Sequence, residues 1–155
     1  MERRRVINGM VGLTLVGTVG CLGDDPLEAA NAYGYDTLEV DGVAVPLAPV
    51  TDVFEWYEHE NVLFLDTRSE GAFEELRIAG AELSPAPDGL GDTDPIQEVD
   101  ADTKVVTYCV CPHTLATRRG ANTIRNGYRH TYALDEGLQG WIDEGYPIAG
   151  TAVDD

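Results

Sequence analysis

The chain has 155 residues, 43% of them apolar and 8% aromatic, enough for one domain with a substantial core and too few for two. Its formal charge is -18, from 28 acidic against 10 basic residues. A surface this acidic repels phosphate backbones and anionic lipid headgroups, which argues against nucleic acid as a partner.

Arg3, Arg4 and Arg5 open the chain, ahead of a mildly apolar stretch over residues 6–20. That stretch is too short, and too rich in Gly and Thr, to span a bilayer comfortably, which takes about 20 apolar residues. Residues 1–20 are therefore expected to be a signal peptide. The Arg pair before Val6-Ile7 resembles a twin-arginine signal, and "TVGC" resembles a lipoprotein box. These resemblances imply export of a folded protein, cleavage after Gly20 and a lipid on the Cys21 sulfur. The mature protein would then sit outside the cytoplasm, anchored to the membrane; the competing reading is an anchoring helix with an incidental cysteine. Cleavage removes three Arg and one Glu, so the mature chain is more acidic still. Asp and Glu are spread along the sequence rather than gathered in a tail, a pattern that resembles haloarchaeal proteins, whose folds need salt to screen self-repulsion.

Residues 21–35 are expected to be a lipidated tether and residues 36–150 the folded domain. "TLEVDGVAVPL" places Asp41-Gly42 between two β-prone runs and predicts a hairpin, with Pro46 restricting its second strand to a sheet edge. Val53, Trp56 and Tyr57 form one face of a helix that Thr51 or Asp52 is expected to cap. "NVLFLDTR" predicts a buried strand ending at Asp66, and "SEGAFEELRIAGAEL" a short helix and a turn. Residues 84–103 hold three prolines, two glycines and five aspartates and are expected to form a surface loop without regular elements.

"TKVVTYC" predicts a second buried strand. Ala116, Gly120 and Ile124 recur every fourth residue, a smooth helix face that lies close on a sheet; Gly127 ends that helix as a left-handed cap, with Tyr128 beyond it for the apolar contact. "HTYAL" predicts a further strand, and "DEGLQGWIDEGYP" a last helix with Leu138, Trp141 and Ile142 facing inward. Strands that read as continuous apolar runs and alternate with helices define an α/β domain with a mostly parallel central sheet.

Ligands of such sheets bind outside the carboxyl ends of the strands. Cys109 stands at one of these ends, directly before a helix. Loop N–H groups and the helix N-terminus favour a thiolate there, lowering a cysteine pKa to roughly 3.5–7.5 from about 8.5, and the same cradle suits a bound anion. The position argues for a reactive thiol over a structural one buried as a small hydrophobe.

Three segments carry a family resemblance. "VLFLDTRSEGAFEELRIAGAELSP", "VVTYC" with the six-residue loop it opens, and "NGYRHTYALDEGLQGWIDEGYPI" together resemble the signatures of the single-domain rhodaneses, a sulfurtransferase family. The likeness covers about residues 50–149. It implies a three-layer rhodanese-like fold with helices flanking the sheet. It implies that Cys109 takes sulfane sulfur from a small donor as a persulfide and passes it to a thiophilic acceptor, with no cofactor or metal. The active-site loop is then Cys109, Val110, Cys111, Pro112, His113 and Thr114, and Asp66 and Arg68 match the family's Asp-x-Arg, read here as a structural brace. The chain departs from the pattern where Gly often stands at Pro112, Arg at Thr114 and Gly-His at Leu76-Arg77. Pro112 removes one donor from the cradle, Thr114 brings no charge but suits a helix cap ahead of Leu115, and His113 is the loop's titratable candidate for positive charge. Related phosphatases carry Arg as the sixth residue after the cysteine; Leu115 stands there, and without a guanidinium fork a phosphate has no clamp.

Two other functions compete. Cys109 and Cys111, the thiols left if Cys21 is lipidated, would form a strained and easily reduced disulfide, the basis of a thiol–disulfide redox protein. Cys109, Cys111 and His113 would alternatively hold a soft metal, although three ligands fall short of the four in a structural zinc site.

Overall fold

The computed structural model describes residues 29–110 and 114–153. Residues 1–20, expected to be a signal peptide, and Cys21, Cys111, Pro112 and His113 lie outside the described residues. Among those described, no helix is long and apolar enough to cross a membrane.

In chain order the elements are β1 (Thr37–Val40), β2 (Val43–Ala48), α1 (Val50–His59), β3 (Val62–Asp66), α2 (Glu70–Glu75), β4 (Arg77–Ile78), β5 (Glu82–Leu83), β6 (Lys104–Tyr108), α3 (Thr114–Arg125), β7 (Thr131–Leu134), α4 (Gly137–Asp143) and β8 (Ile148–Ala149). The main sheet runs in the order β1-β2-β7-β6-β3-β5; all neighbours are parallel except the β1–β2 hairpin. Asp41 and Gly42 turn that hairpin with φ of 51° and 84°, the left-handed conformations an Asp-Gly turn supplies. A small antiparallel pair, β4 with β8, completes the fold.

Period-two alternation divides the core between two faces. Val106 and Tyr108 of β6, Phe64 of β3 and Tyr132 and Leu134 of β7 pack with Trp56 of α1 and Leu138 and Trp141 of α4. On the opposite face Val43 and Val45 of β2, Ala133 of β7 and Cys109 pack beneath α3 through Ala116, Ala121 and Ile124. A full burial of one such aliphatic side chain stabilises by about 1.5–3 kcal/mol, so both faces matter to the fold. Gly120 shows why α3 sits so close: a Cβ there would stand 3.1 Å from Val45 Cγ1. The helix ends in a Schellman turn, with Gly127 N–H donating to the Ile124 carbonyl and Tyr128 N–H to that of Thr123. Tyr128 then joins Leu65, Ile96 and Val105. Trp141 meets Phe54, Tyr57, Phe64 and Tyr146 edge-on, and its indole N–H donates to the Pro147 carbonyl at 2.8 Å. That bond ties the end of α4 to the chain that leaves it.

Four local expectations change. The strand holding Pro46 is interior, since β1 is the edge; β2 pairs with β7 only from Leu47 onward, so the missing N–H falls outside the parallel ladder. Helix α1 has no side-chain cap from Thr51 or Asp52. Its first N–H, that of Val50, donates instead to Glu136 Oε1 at 2.8 Å, while Asp52 accepts from the Tyr35 hydroxyl. The loop over residues 84–103 holds two short 3-10 turns, Gly91–Thr93 and Pro95–Glu98, because Asp94 caps the second and Ile96 is buried. Finally, the stretch before residue 36, expected to be tether, packs on the domain from residue 29. Ala30 N–H donates to the Arg129 carbonyl, and Tyr33 and Tyr35 stack beside Trp56 and Tyr132. Lys104 lies over the Trp56 ring and bonds Glu60 and the Tyr33 hydroxyl.

Candidate active site

The chain leaving β3 crosses to β5 on one side, and the chain leaving β6 crosses to β7 on the other. The carboxyl ends of β3 and β6 therefore flank the point where the sheet's winding reverses, the usual place for a ligand crevice. Asp66 ends β3, and Cys109 follows β6.

Cys109 is 2% exposed. Alternation along β6 turns its side chain to the α3 face, under the start of that helix, while Tyr108 faces the other way. The backbone here is held from both sides. The Tyr108 carbonyl accepts from the Thr67 N–H at 3.0 Å and from its hydroxyl at 2.8 Å. The Cys109 carbonyl accepts from the Leu138 N–H at 2.8 Å, at the start of α4. Val110, by contrast, is 45% exposed. Helix α3 begins at Thr114, one residue earlier than a cap at that position would allow. Leu115 packs against the Val43–Val45 cluster, where a phosphate-clamping arginine would have to reach into the loop.

Asp66 and Arg68 form the expected pair. Arg68 Nε donates to Asp66 Oδ1 at 2.9 Å and Nη2 to Oδ2 at 2.7 Å, a two-bonded fork. Nη2 also reaches the carbonyls of Leu76 and Ala72, so the pair braces the turn after α2. Burial works against the Arg68 charge, but the Asp66 bond and charge outweigh it and hold the guanidinium above its ordinary value; Cys109 interacts with the same charge. Beside it the Tyr108 phenol is pushed well up by burial and by the Asp66 carboxylate, so it stays protonated and accepts from the Ile78 N–H.

Gly137 is a feature the sequence pattern did not single out. It opens α4 with φ of 71°, and a Cβ there would stand 2.7 Å from the Val110 carbonyl oxygen and 2.8 Å from that of Cys109. Gly at the head of "GLQGW" marks a close approach between helix α4 and the cysteine loop. Gly137→Ala is expected to cost about 1–3 kcal/mol, since it combines a strained φ with a backbone clash. Gly71→Ala, in open space within α2, is expected to be neutral or to stabilise by about 0.4–1 kcal/mol. Urea midpoints of the two variants check the contrast.

A cleft of about 220 Å³ adjoins the loop. Arg68, Leu76 and Glu75 form one wall; Val110 and, from α4, Leu138 and Ile142 form the other.

The family model described as Rhodanese-like domain matches residues 50–144, more than half of the chain. The chain belongs to the rhodanese-like family. Solved structures with the same fold include a protein from Bacillus halodurans, 24% identical with a TM-score of 0.61, covering 68% of this chain and 77% of that one. The rhodanese-like domain of a protein from Anabaena is 18% identical with a TM-score of 0.56, covering 71% of this chain and 88% of that one. A thiosulfate sulfurtransferase from Pseudomonas aeruginosa is 17% identical with a TM-score of 0.54; the match covers 68% of this chain but 20% of that protein. No curated protein matches.

Proposed function

We propose that this chain is a sulfurtransferase that carries sulfane sulfur as a persulfide on Cys109. The observation that carries the reading is the position of Cys109: the carboxyl end of a central parallel strand, beside the reversal point of the sheet, under the N-terminal end of α3. A helix start favours negative charge, which suits both a thiolate and a persulfide anion. The Asp66–Arg68 fork holds the neighbouring strand end and adds a fixed charge that Cys109 feels. Membership of the rhodanese-like family supports the same chemistry.

In the loading step the Cys109 thiolate attacks the sulfane sulfur of a donor. A Cys109 S–S bond forms as the donor's bond to that sulfur breaks, and the electron pair leaves on the donor remnant, sulfite in the case of thiosulfate. In the discharge step an acceptor thiolate attacks the outer sulfur, and Cys109 leaves as thiolate. No external oxidant or reductant is needed. The test is intact mass of the mature protein after incubation with thiosulfate or a polysulfide. A gain of one sulfur atom, lost on adding a thiol, is expected; an unchanged mass with both donors would remove the reading.

The reading extends to the N-terminus: residues 1–20 serve export, and a lipid on Cys21 holds the domain at the outer face of the membrane. Cys21→Ser is expected to leave the membrane fraction with its circular dichroism unchanged. Full retention in the membrane would mean that the apolar stretch, not a lipid, is the anchor.

A further inference from the structure

The sheet sets a carboxylate level with Cys109. Strand β6 pairs in parallel with β7, Val105 with Thr131 and Thr107 with Ala133, and with β3 as far as Tyr108 with Asp66. Carried on to the strand ends, these registers put Thr67, Cys109 and Asp135 in one row. The chain is still held at that level: Asp135 N–H donates to the Ala48 carbonyl of β2 at 2.9 Å, and Leu138 N–H to the Cys109 carbonyl at 2.8 Å. Alternation along β7 fixes the face. Thr131 bonds Thr123 of α3, and Ala133 packs with Cys109 in the cluster beneath that helix, so the half-buried Asp135 is the next side chain on the α3 face. Neighbouring strands lie about 4.8 Å apart, which sets the Asp135 carboxylate beside the Cys109 thiol. The other charges described here belong elsewhere. Asp66 stands in the row of Tyr108, on the opposite face, and is balanced by the Arg68 fork. Thr67 is neutral, with its hydroxyl turned to the Tyr108 carbonyl, and the first turn of α3, Thr114 to Thr117, has no charged side chain.

We propose that Asp135 is a specificity-determining residue of the Cys109 site, selecting sulfane-sulfur donors of low net charge over a dianion such as thiosulfate. This rests on the sulfur-transfer reading above and names the donor class for it. The sulfane sulfur must touch the Cys109 thiolate, so the rest of the donor comes close to a fixed carboxylate. A unit charge about 6 Å from a dianion lowers a binding or rate constant about tenfold at the dielectric of water, and about threefold once salt screens it. A zwitterion, whose ammonium offsets its anionic end, escapes that penalty. Loading itself is the same for both kinds of donor. The Cys109 thiolate attacks the sulfane sulfur, the new S–S bond forms as the bond to the sulfonyl sulfur breaks, and the electron pair leaves on a sulfinate, or on sulfite from thiosulfate.

The experiment loads the mature protein from thiosulfate or from 2-aminoethanethiosulfonate, a zwitterion with the same kind of sulfane sulfur, at one pH and one salt concentration. The quantity read is the ratio of the two initial rates of the one-sulfur mass gain that Cys109→Ser lacks. Any change in the reactivity of the thiol itself cancels in this ratio. Asp135→Asn is expected to raise the thiosulfate share of the ratio about three- to tenfold. Asp135→Ser removes the charge with a different shape and should do the same, so a folding defect in one variant leaves the other to decide. Asp135→Glu keeps the charge and should stay within about 1.5-fold of the wild type, the shift expected of a charge that is merely moved by one methylene. Asp102→Asn makes the same charge change before the amino end of β6, farther from Cys109 than the screening length of about 8 Å, and should also leave the ratio within about 1.5-fold. Equal shifts in the Asp102 and Asp135 variants would overturn the proposal and assign the preference to the protein's overall charge. An unchanged ratio in Asp135→Asn and Asp135→Ser would overturn it as well, as would loss of loading from both donors in a folded Asp135→Asn, which would make the carboxylate part of the chemistry and not a selector. Failure of the wild type to load from either donor would count against the sulfur-transfer reading, and is seen before any variant is made.

Discussion

Cys109→Ser is expected to abolish sulfur uptake entirely, while Cys111→Ser keeps it. A single residue separates the two cysteines, yet only the first follows β6 directly, in the place where strand end, helix start and the Arg68 charge converge. A serine hydroxyl ionises far above the working pH and forms no persulfide, so no residual mass gain is expected from the first variant. In the second the persulfide should persist longer, because a neighbouring thiol two residues along can otherwise attack it and release sulfide. Intact mass after polysulfide, followed over time, reads both effects. Uptake that survives the first change and vanishes with the second would reverse the roles. Loss in both variants would indicate a shared dithiol and favour the redox reading.

The second large effect concerns stability. Asp94→Ala is expected to cost about 3–5 kcal/mol, a large share of the roughly 5–15 kcal/mol that holds a domain folded. Arg119 and Asp94 are 3% and 1% exposed, with Nη2 and Oδ1 3.3 Å apart. Arg119 Nε donates to the Ser84 hydroxyl at 2.7 Å, and that hydroxyl donates to Asp94 at 2.6 Å. Asp94 also accepts from the N–H groups of Leu90 and Ile96. Removing it strands a buried guanidinium and two backbone donors. Burial already pulls the Arg119 pKa below its ordinary value, although Asp94 pushes the other way. Arg119→Met should cost less, because Asp94 would keep Ser84 and its two N–H donors. Urea denaturation of both variants checks the order; a larger loss from Arg119→Met would show that packing, not the stranded charge, dominates. Sulfur uptake should survive in Asp94→Ala wherever it is folded, since neither Asp94 nor Arg119 lines the cleft that adjoins the cysteine loop.

Much of this fold is legible in the amino-acid sequence. Apolar runs at 62–66, 104–108 and 131–134 specify buried parallel strands because their residues must face packing on both sides, and the chain's α/β class follows from the helices between them. Asp41-Gly42 specifies a turn and Gly127-Tyr128 a helix stop, because those conformations belong to few residue types. A strand end before a helix is a local pattern and singled out Cys109, whereas the Asp66–Arg68 pair came from the resemblance to the rhodaneses alone. Tertiary structure alone decided what depends on distant partners. Glu136 serves as acceptor for the first N–H of α1, 86 positions away, so no local rule could nominate it over Thr51 or Asp52. Pro46 sits in an interior strand because register, not composition, sets where the ladder begins. Arg119 is buried only because a loop of five aspartates folds one of them inward. Gly137 matters only because α4 docks on the Cys109 loop. Local propensity acts over a few residues, whereas capping, burial of charge and close approach are set by whatever the folded chain brings alongside.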